Sequence, residues 1–475
     1  MPACIVYSKK VIIKCMYFKK FNIWEDITLK KQRDNFSSKL GFVLATAGSA
    51  VGLGNLWRFP YLAAKYGGGI FLLTYLILAV TFGFTLMMAE IAIGRRTSLS
   101  GIRAFSSLDR RFAPVGYLTF IIPMIIFPYY CVIGGWVTKY LTTFVTGNMV
   151  AATESTYFTD FICSSSSPLV FMLIFLVITT GVILIGVQKG VEKVSTILMP
   201  LLIIMIIFIC IFTMFQPGAI DGVLYYLKPN FADFSSSTVL AALGQLFYSM
   251  SLAMGIMITY GSYMKKDTDL ESSATQVELF DTAIAFLAGL MIVPAVYVFS
   301  GGDQSAMQSG PSLMFITLPS VFSSMKLGSL IGAFFFILVF FAALTSAISL
   351  METLVSMIDD HFHWGRKKTT LCIFIVSIIL AVPSSLGFGA WSHITIGGYS
   401  ILDFWDFLSN SVLMPITAFF TCIFIGFVVK PKFVIEEVES SGAFKRKGLF
   451  TIMIRYVAPV CIIAILLCGL GILKI

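Results

Sequence analysis

The sequence predicts an all-α polytopic membrane protein with about eleven transmembrane helices. Hydrophobic residues make up 58% of the 475 residues and charged residues only 12%. The mean hydropathy is +0.92, which is typical of a chain that crosses a bilayer repeatedly. In addition, two apolar segments are interrupted near their middle, which predicts helices that are broken at membrane depth.

Eleven apolar segments fit the chain when each span takes about 20 residues. They lie near residues 40–64, 70–93, 114–144, 168–187, 194–215, 238–262, 279–299, 328–357, 369–383, 403–429 and 453–473. We expect an N-terminal cytoplasmic tail at 1–33 and a helical core at 34–430. A cytoplasmic loop and the eleventh helix occupy 431–475. Within the core, helices 1–5 lie at about 34–216 and helices 6–10 at about 237–430.

The basic residues predict which side of the membrane each connection faces. The connections 146–167, 300–325 and 384–400 contain no lysine or arginine. The alternate connections hold Arg95, Arg96, Arg103, Arg110, Arg111, Lys189, Lys193, Lys265, Lys266, Arg366, Lys367, Lys368, Lys445, Arg446 and Lys447. By the positive-inside rule, the N-terminus is cytoplasmic and, after eleven spans, the C-terminus is outside. The net charge of +9 is therefore a topology signal and does not indicate nucleic-acid binding.

The first interruption lies in the first apolar segment. Residues 48–58 contain three glycines, an asparagine and an arginine. A glycine costs about 1 kcal/mol relative to alanine in a helix interior, and an arginine in hydrocarbon needs a partner or a water-filled cavity. Freed carbonyls of a broken helix can bind a cation, and the N-terminus of the next half-helix can bind an anion. The break therefore predicts a binding site.

The second interruption lies in the sixth segment, where residues 244–255 combine glycines, serines and a glutamine. Small residues in one membrane helix more often indicate close packing. Two interruptions, however, fall at corresponding positions of two five-helix halves. That pattern predicts an inverted repeat with its binding site between the halves.

The motif GLGNLWRFP at residues 52–60, followed by three glycines at 67–69, resembles the neurotransmitter:sodium symporter family in its bacterial amino-acid-transporting branch. Further matching positions extend from about Arg33 to Pro459. The resemblance implies the fold of the bacterial leucine transporter and a multi-pass location in a bacterial inner (plasma) membrane. It also implies sodium-coupled amino-acid symport by alternating access.

Carried over residue by residue, the resemblance implies two sodium ions. The first site consists of Ala50, Asn55, Ser249 and Asp281 with the substrate carboxylate. The second consists of Gly48, Val51, Ala342, Thr345 and Ser346. Taken alone, the hydroxyls of Thr345 and Ser346 favour hydrogen bonds within their own helix. The matching break in the first segment reverses that preference.

Asp281 departs from the family pattern, which often has asparagine at this position, while animal members add a chloride ion nearby to balance the sodium charge. Because a carboxylate supplies the same negative charge, our hypothesis is chloride-independent transport, with a proton returning on Asp281. The alternative is a carboxylate at the cytoplasmic end of a helix, stabilised by the helix dipole.

The resemblance also implies a site for a zwitterionic amino acid. Its carboxylate meets the amides of Leu53 and Gly54 and the hydroxyl of Tyr130, and its ammonium meets carbonyls and hydroxyls at both breaks. The Met254 side chain can adapt to differently shaped ligands, and the Ser349 hydroxyl could bond a polar para substituent. We therefore predict an aromatic or large apolar amino acid as the substrate. L-tyrosine is our specific choice, and leucine also fits. The predicted substrate residues are Ala50, Leu53, Gly54, Ile126, Tyr130, Tyr248, Ser249, Ser251, Met254, Ser346, Ser349 and Leu350.

Gates and support follow from the same resemblance. Arg58 would pair with Asp403 on the outside, above a lid formed by Tyr130 and Tyr248. On the inside, Arg33 would pair with Asp360, supported by Tyr263. Glu90, inside the second segment, would hydrogen-bond the unwound part of the sixth.

Three other functions fit the sequence less well than sodium-coupled symport does. The histidines at positions 361, 363 and 393 have no nucleophile or metal-ligand set around them, so we do not expect an enzyme. A proton-coupled or exchanging carrier of the same fold is an alternative, and so is a non-transporting amino-acid receptor, which would usually carry a large cytoplasmic extension. The predicted partners are an amino acid and the lipid bilayer, and a homodimer is compatible with the sequence.

Overall fold

The computed structural model describes residues 35–301 and 311–473, which form helices joined by short connections. The predicted tail at 1–33 lies outside these residues. In the described part, nine continuous helices are long and apolar enough to cross a membrane. We number them by the predicted segments as spans 2–5 and 7–11. They are Gly69–Thr97, Arg110–Val145, Ser167–Ile185, Val187–Met214, Leu270–Phe299, Gly328–Phe362, Arg366–Leu386, Ile401–Val428 and Lys447–Gly469.

Spans 1 and 6 are broken, as the sequence predicts. Span 1 consists of Lys39–Ala50 and Gly54–Lys65, which are bent by 54° at the break. Span 6 consists of Ser236–Ser249 and Ile256–Ser262, helices of 14 and 7 residues that are individually too short to cross a bilayer. All eleven predicted segments therefore correspond to helices, and the predicted fold class is confirmed.

The centre of the helical bundle is formed by the most deeply buried spans. In the most apolar window, 78% of residues are buried for span 3 and 72% for span 8. The corresponding fraction is 39% for span 4 and 33% for span 11. Within residues 35–301 and 311–473, spans 4 and 11 therefore expose more of their apolar surface than spans 3 and 8 do, as helices that face lipid would.

Span 2 and the inner half of span 6 pack against each other through glycines. A Cβ atom on Gly94 would lie 1.8 Å from the carbonyl oxygen of Ile258, and one on Gly261 would lie 2.4 Å from that of Ile91. Real Cβ atoms do not approach so closely. The two backbones are therefore in direct contact, as is common where membrane helices pack through small residues.

A short helix, Lys432–Glu439, occupies the connection between spans 10 and 11 and is bound to the end of span 2. Arg95, which is 1% exposed, donates from Nε to Oε1 of Glu437 at 2.8 Å and from Nη1 to the carbonyl of Thr268 at 2.7 Å. Lys266 donates to the same Glu437 oxygen at 3.0 Å. This buried cluster joins span 2, the connection after span 6, and the helix Lys432–Glu439.

The connection at 300–325, expected as a loop, contains two consecutive helical stretches, Leu313–Thr317 and Leu318–Ser324. Phe315 stacks on Phe158 with ring centroids 5.0 Å apart, and its carbonyl accepts from the Tyr140 hydroxyl at 2.8 Å. Trp136 packs edge-on against the Phe315 ring at 6.0 Å. Aromatic side chains of span 3 therefore pack against the helical stretch Leu313–Ser324. Its apolar run is too short to predict a transmembrane helix.

Replacing Gly261 with alanine should destabilise the protein, because the new methyl group would collide with the backbone of span 2. Overpacking of this kind typically costs about 1–3 kcal/mol. Gly181 in span 4 is the matched control, since a Cβ atom there meets no atom within 4 Å. Thermal unfolding in detergent should show a lower midpoint for Gly261→Ala and an unchanged or higher one for Gly181→Ala. Equal midpoints would contradict the direct backbone contact.

Candidate functional site

The break in span 1 exposes both ends of a helix near the middle of the bundle. The helix Lys39–Ala50 ends where Val51 leaves helical geometry, with φ −75° and ψ 102°. The chain resumes as a π-helical turn at Gly54–Arg58. A helix end has unpaired carbonyls and a helix start has unpaired amides. Oxygen atoms and N–H groups are thereby offered within a few residues of each other.

The break in span 6 is an unwound stretch at residues 250–255. Ser251 and Ala253 have φ of 53° and 62°, in the left-handed region that costs about 1–2 kcal/mol per non-glycine residue. Glu90, which is 2% exposed, accepts from the Ala253 amide at 2.7 Å. Ser251 donates its hydroxyl to the Ser49 carbonyl at 3.0 Å, so the two breaks are joined directly.

A small cavity of about 40 Å³ lies between the two breaks. Of the twelve predicted substrate residues, all except Ile126 and Ser349 line it. Three lining residues were not predicted: Ser49, Gly52 and Ile256. Ser49 and Gly52 belong to the broken motif itself, and Ile256 begins the half-helix after Gly255. Their positions at the breaks are the signal that sequence reasoning could have used.

Tyr130 lines this cavity. The hydroxyl is buried and, within the described residues, it has no hydrogen-bond partner. It lies 3.3 Å from the position that a Cβ atom on Gly52 would take, next to the start of the second half of span 1. A buried hydroxyl without a partner is costly unless a ligand provides one.

Ser349 does not line the cavity. Its hydroxyl accepts from the Tyr260 hydroxyl at 2.8 Å and donates to the Thr345 carbonyl at 3.0 Å. Its donor and one of its two lone pairs are therefore used within the protein, and its contact with a polar para substituent stays a prediction. Ile126 is 3% exposed and belongs to the hydrophobic core of the bundle.

The residues predicted for the first sodium site lie together. Asp281 accepts from the side-chain amide of Asn55 at 2.9 Å and from the Ser249 hydroxyl at 2.8 Å. Asp281 is completely buried inside span 7, so it does not occupy the cytoplasmic rim that the alternative interpretation required. Tyr75 of span 2, which was not predicted, donates to the second oxygen of Asp281 at 3.3 Å.

The residues predicted for the second sodium site also converge. The Ser346 hydroxyl lies 3.4 Å from the carbonyl oxygen of Gly48 and 3.3 Å from that of Val51. Thr345 donates its hydroxyl to the carbonyls of Phe341 at 3.0 Å and Ala342 at 3.1 Å within its own helix. A donating hydroxyl keeps oxygen lone pairs for a cation. Spans 1 and 8 thus present several hard oxygen atoms at one place.

Comparison with known proteins identifies this arrangement. Residues 33–168 and 160–474 match the model of the sodium:neurotransmitter symporter family. The chain belongs to this family.

Individual relatives agree with this assignment. The uncharacterized sodium-dependent transporter YhdH of Bacillus subtilis is 33% identical over 446 residues, which cover 92% of this chain and 98% of YhdH. A taurine transporter of Rattus norvegicus, described as sodium- and chloride-dependent, is 27% identical over 450 residues, covering 84% of this chain and 71% of that protein. The crystal structure of MhsT in complex with L-phenylalanine superposes with a TM-score of 0.83 at 36% identity, covering 92% of this chain and all of MhsT.

The chain is therefore a multi-pass, sodium-dependent symporter of this family, and it is not an enzyme. The predicted recognition of the family and the predicted fold of the leucine-transporter type are confirmed. The ligands of each ion and the exact substrate stay predictions.

At the predicted outer gate, Arg58 lies over the Tyr248 ring, with its guanidinium carbon 5.2 Å from the ring centroid. Within the described residues Arg58 forms no salt bridge. Asp403, the predicted partner, accepts from the Ser400 hydroxyl at 2.7 Å at the start of span 10. Asp406, one turn further along span 10, accepts from the Tyr129 hydroxyl at 3.2 Å and from the Asn410 side-chain amide at 2.6 Å.

On the inner side, Arg33 lies outside the described residues. Asp360 accepts from the Ser100 amide at 2.9 Å. Tyr263 donates its hydroxyl at 2.8 Å to Glu352, which is completely buried in span 8 and also accepts from Arg366 at 3.0 Å. Glu352 was not predicted. An acidic residue inside an apolar segment is the signal that could have identified it.

Replacing Ser346 with alanine should weaken sodium binding, because it removes an oxygen atom at the point where carbonyls of span 1 converge. We expect the sodium concentration for half-maximal binding to rise at least fivefold, about 1 kcal/mol. Binding of radioactive sodium to purified protein measures this directly. Thr179→Val in span 4 is the control, since its hydroxyl only bonds the Phe175 carbonyl of the same helix. An unchanged sodium affinity in Ser346→Ala would remove Ser346 from the site.

Proposed function

We propose that the chain imports a zwitterionic aromatic or large apolar α-amino acid together with sodium, by alternating access, in a bacterial plasma membrane. The observation that carries the proposal is the cavity between the two helix breaks. It combines a helix start and an unpaired hydroxyl on one side with hydroxyls on another and an apolar wall. Each part matches one part of such an amino acid.

The negative pole of the substrate is the carboxylate. The start of the helix after Leu53 supplies backbone amides, including that of Gly54, and the positive end of the helix dipole. The Tyr130 hydroxyl, which is buried without a partner, adds a third donor. A carboxylate can accept all three hydrogen bonds, which are stronger than bonds to a neutral acceptor.

The positive pole of the substrate is the ammonium, which only donates hydrogen bonds. Ser49, Ser251 and Ser346 line the cavity and offer hydroxyl oxygens there. The end of the helix Lys39–Ala50 adds the negative end of a helix dipole. Because opposite poles of the ligand meet opposite dipoles, the site favours α-amino acids over singly charged acids or amines.

The side chain of the substrate meets Tyr248, Met254, Ile256 and Leu350. These residues are aromatic or apolar, and methionine adapts its shape to flat rings. L-tyrosine is the substrate chosen from the sequence, and one reason for it is the Ser349 hydroxyl, which accepts from Tyr260 in the structure. A para hydroxyl group that loses water without gaining a partner is penalised. We therefore favour L-phenylalanine over L-tyrosine, in line with the ligand named for the MhsT structure.

Charge balance supports transport without chloride. Asp281 lies against Asn55 and Ser249, where the first of two sodium ions is expected. A buried carboxylate beside a cation supplies the negative charge that an added anion would otherwise provide. Sodium bound at both sites would stabilise the outward-facing state, and the substrate carboxylate would complete the first site before the outer gate closes.

Uptake of radiolabelled L-phenylalanine into proteoliposomes tests the proposal, with an inward sodium gradient and chloride replaced by gluconate. We expect sodium-dependent uptake that unlabelled L-phenylalanine inhibits better than L-tyrosine or L-leucine. Tyr130→Phe should raise the KM at least tenfold, whereas Tyr226→Phe, which only loses a bond to the Phe286 carbonyl, should not.

Other results of this experiment would indicate other functions. Uptake that persists without sodium would favour the proton-coupled or exchanging carrier of the same fold. Sodium-dependent binding of the amino acid without any uptake would favour the receptor.

Replacing Asp281 with asparagine removes the negative charge but keeps an oxygen that can accept from Asn55. We expect the sodium concentration for half-maximal uptake to rise at least tenfold, about 1.4 kcal/mol, and external chloride to restore part of the loss. Sodium titrations of uptake in chloride and in gluconate measure both effects. If Asp281→Asn leaves sodium coupling and proton movement unchanged in gluconate, the role proposed for Asp281 is wrong.

A further inference from the structure

Arg455 lies inside span 11 without a carboxylate to pair with. It is the single charged residue between positions 448 and 469. Its Nε donates to the Gly426 carbonyl of span 10 at 3.0 Å. Within residues 35–301 and 311–473, Nη1 and Nη2 form no hydrogen bond, and neither atom is buried. An arginine in a membrane helix needs a partner or water. The two Nη atoms are therefore available to a ligand.

The backbone beside Arg455 has an unusual form in both helices. Two π-helical stretches pack against each other here, Phe424–Val428 in span 10 and Met453–Val457 in span 11. Gly426 has no side chain, and a Cβ atom there would lie 3.4 Å from both Cα and Cγ of Arg455. The stem of Arg455 therefore lies directly against the backbone of span 10. Single π turns inside helices are frequent at functional sites.

Arg455 lies near the end of span 10 that the basic-residue pattern predicts to be cytoplasmic. Its partner Gly426 is two residues from the end of the span at Val428. Lys430 follows one turn after Gly426 and is exposed. In the described part of the chain, Lys430 forms no salt bridge. Two unpaired cations therefore lie at a helix end, where long basic side chains extend to the level of the lipid headgroups.

The surface of span 11 next to Arg455 is apolar and exposed. The exposed fraction is 58% for Ile452, 61% for Tyr456 and 67% for Val460. These residues are spaced by four positions, so they share one face of the helix. Phe427, which follows Gly426 in span 10, is 51% exposed. An apolar face that ends beside a cation has the same order of parts as a phospholipid, whose acyl chains end at a phosphate.

We propose that Arg455 and Lys430 bind the headgroup of an anionic phospholipid in the cytoplasmic leaflet, and that its acyl chains lie along the exposed face of span 11. The planar guanidinium can bond two phosphate oxygens together, and the lysine adds a point charge. Basic pockets between transmembrane helices on the cytoplasmic side bind anionic headgroups in this way.

The charge and the apolar face together decide the class of ligand. A headgroup with a net negative charge suits two cations, whereas the quaternary ammonium of phosphatidylcholine would be repelled by Lys430. A free phosphate would use the cations but would leave the exposed residues Ile452, Tyr456 and Val460 uncovered. The inference concerns a lipid site and does not depend on the proposed amino acid.

Native mass spectrometry of the full-length purified protein in detergent tests the site, by titration with phosphatidylglycerol or phosphatidylcholine. We expect the first phosphatidylglycerol to bind at least about fivefold more tightly than phosphatidylcholine, about 1 kcal/mol. Arg455→Gln should remove this preference, and Lys430→Gln should weaken phosphatidylglycerol binding at least about twofold. Arg111→Gln is the matched control and should bind as the parent does, because Arg111 is exposed and pairs with Asp109 at 2.7 Å.

Thermal unfolding of the same samples gives a second readout. A ligand that binds the folded state raises its unfolding midpoint, so phosphatidylglycerol should stabilise the parent and Arg111→Gln more than Arg455→Gln. If Arg455→Gln does not fold, Lys430→Gln decides, because its side chain is exposed.

Three results would overturn the proposal. The first is a phosphatidylglycerol affinity of Arg455→Gln, or of Lys430→Gln where it decides, equal to that of the parent. The second is equal binding of phosphatidylcholine and phosphatidylglycerol by the parent. The third is displacement of phosphatidylglycerol by excess inorganic phosphate, which would indicate a site for a soluble anion. Since the titration contains neither sodium nor an amino acid, its outcome is separate from that of the uptake experiment.

Discussion

Backbone N–H and C=O groups at the depth of a bilayer have no water to bond, and each unpaired group costs several kcal/mol. Spans 1 and 6 nevertheless leave helical geometry there. Side chains from neighbouring spans form hydrogen bonds with several of these backbone groups. Glu90 accepts from the Ala253 amide. Ser251 donates to the Ser49 carbonyl, and Gln245 donates to the Gly54 carbonyl at 3.0 Å. Residues of both breaks also line the small cavity between them. The interruption of the two helices thus places polar backbone and side-chain atoms beside that cavity.

The same constraint explains how much the sequence could predict. Glycines and polar residues in the middle of an apolar segment have few interpretations, so both broken spans follow from the sequence pattern. Most cavity residues follow from the family resemblance that the motif at 52–60 carries. Each continuous span was found because a run of about 20 apolar residues is a strong signal. Residues such as Leu53 and Gly54 could be placed because their role depends on the backbone break and not on distant partners.

The residues that sequence reasoning missed depend on contacts between distant parts of the chain. Tyr75 acquires its role only where span 2 meets Asp281 of span 7. Ser349 has the right chemistry for a polar ligand, but Tyr260 of span 6 bonds its hydroxyl first. Asp403 accepts from the hydroxyl of Ser400, which caps the start of span 10, and a π-helical stretch follows at Phe407–Leu413. None of these contacts can be predicted from the local sequence around one residue.

The glycine contacts between span 2 and the inner half of span 6 have a mechanical consequence. Backbones in direct contact leave no flexible side chains to absorb a displacement. The two helices therefore form one rigid unit. Glu90 lies on it beneath the unwound stretch at 250–255, and Arg95 lies at its far end, buried against Glu437. Contacts at the two ends of this unit therefore connect the helix Lys432–Glu439 to the unwound part of span 6.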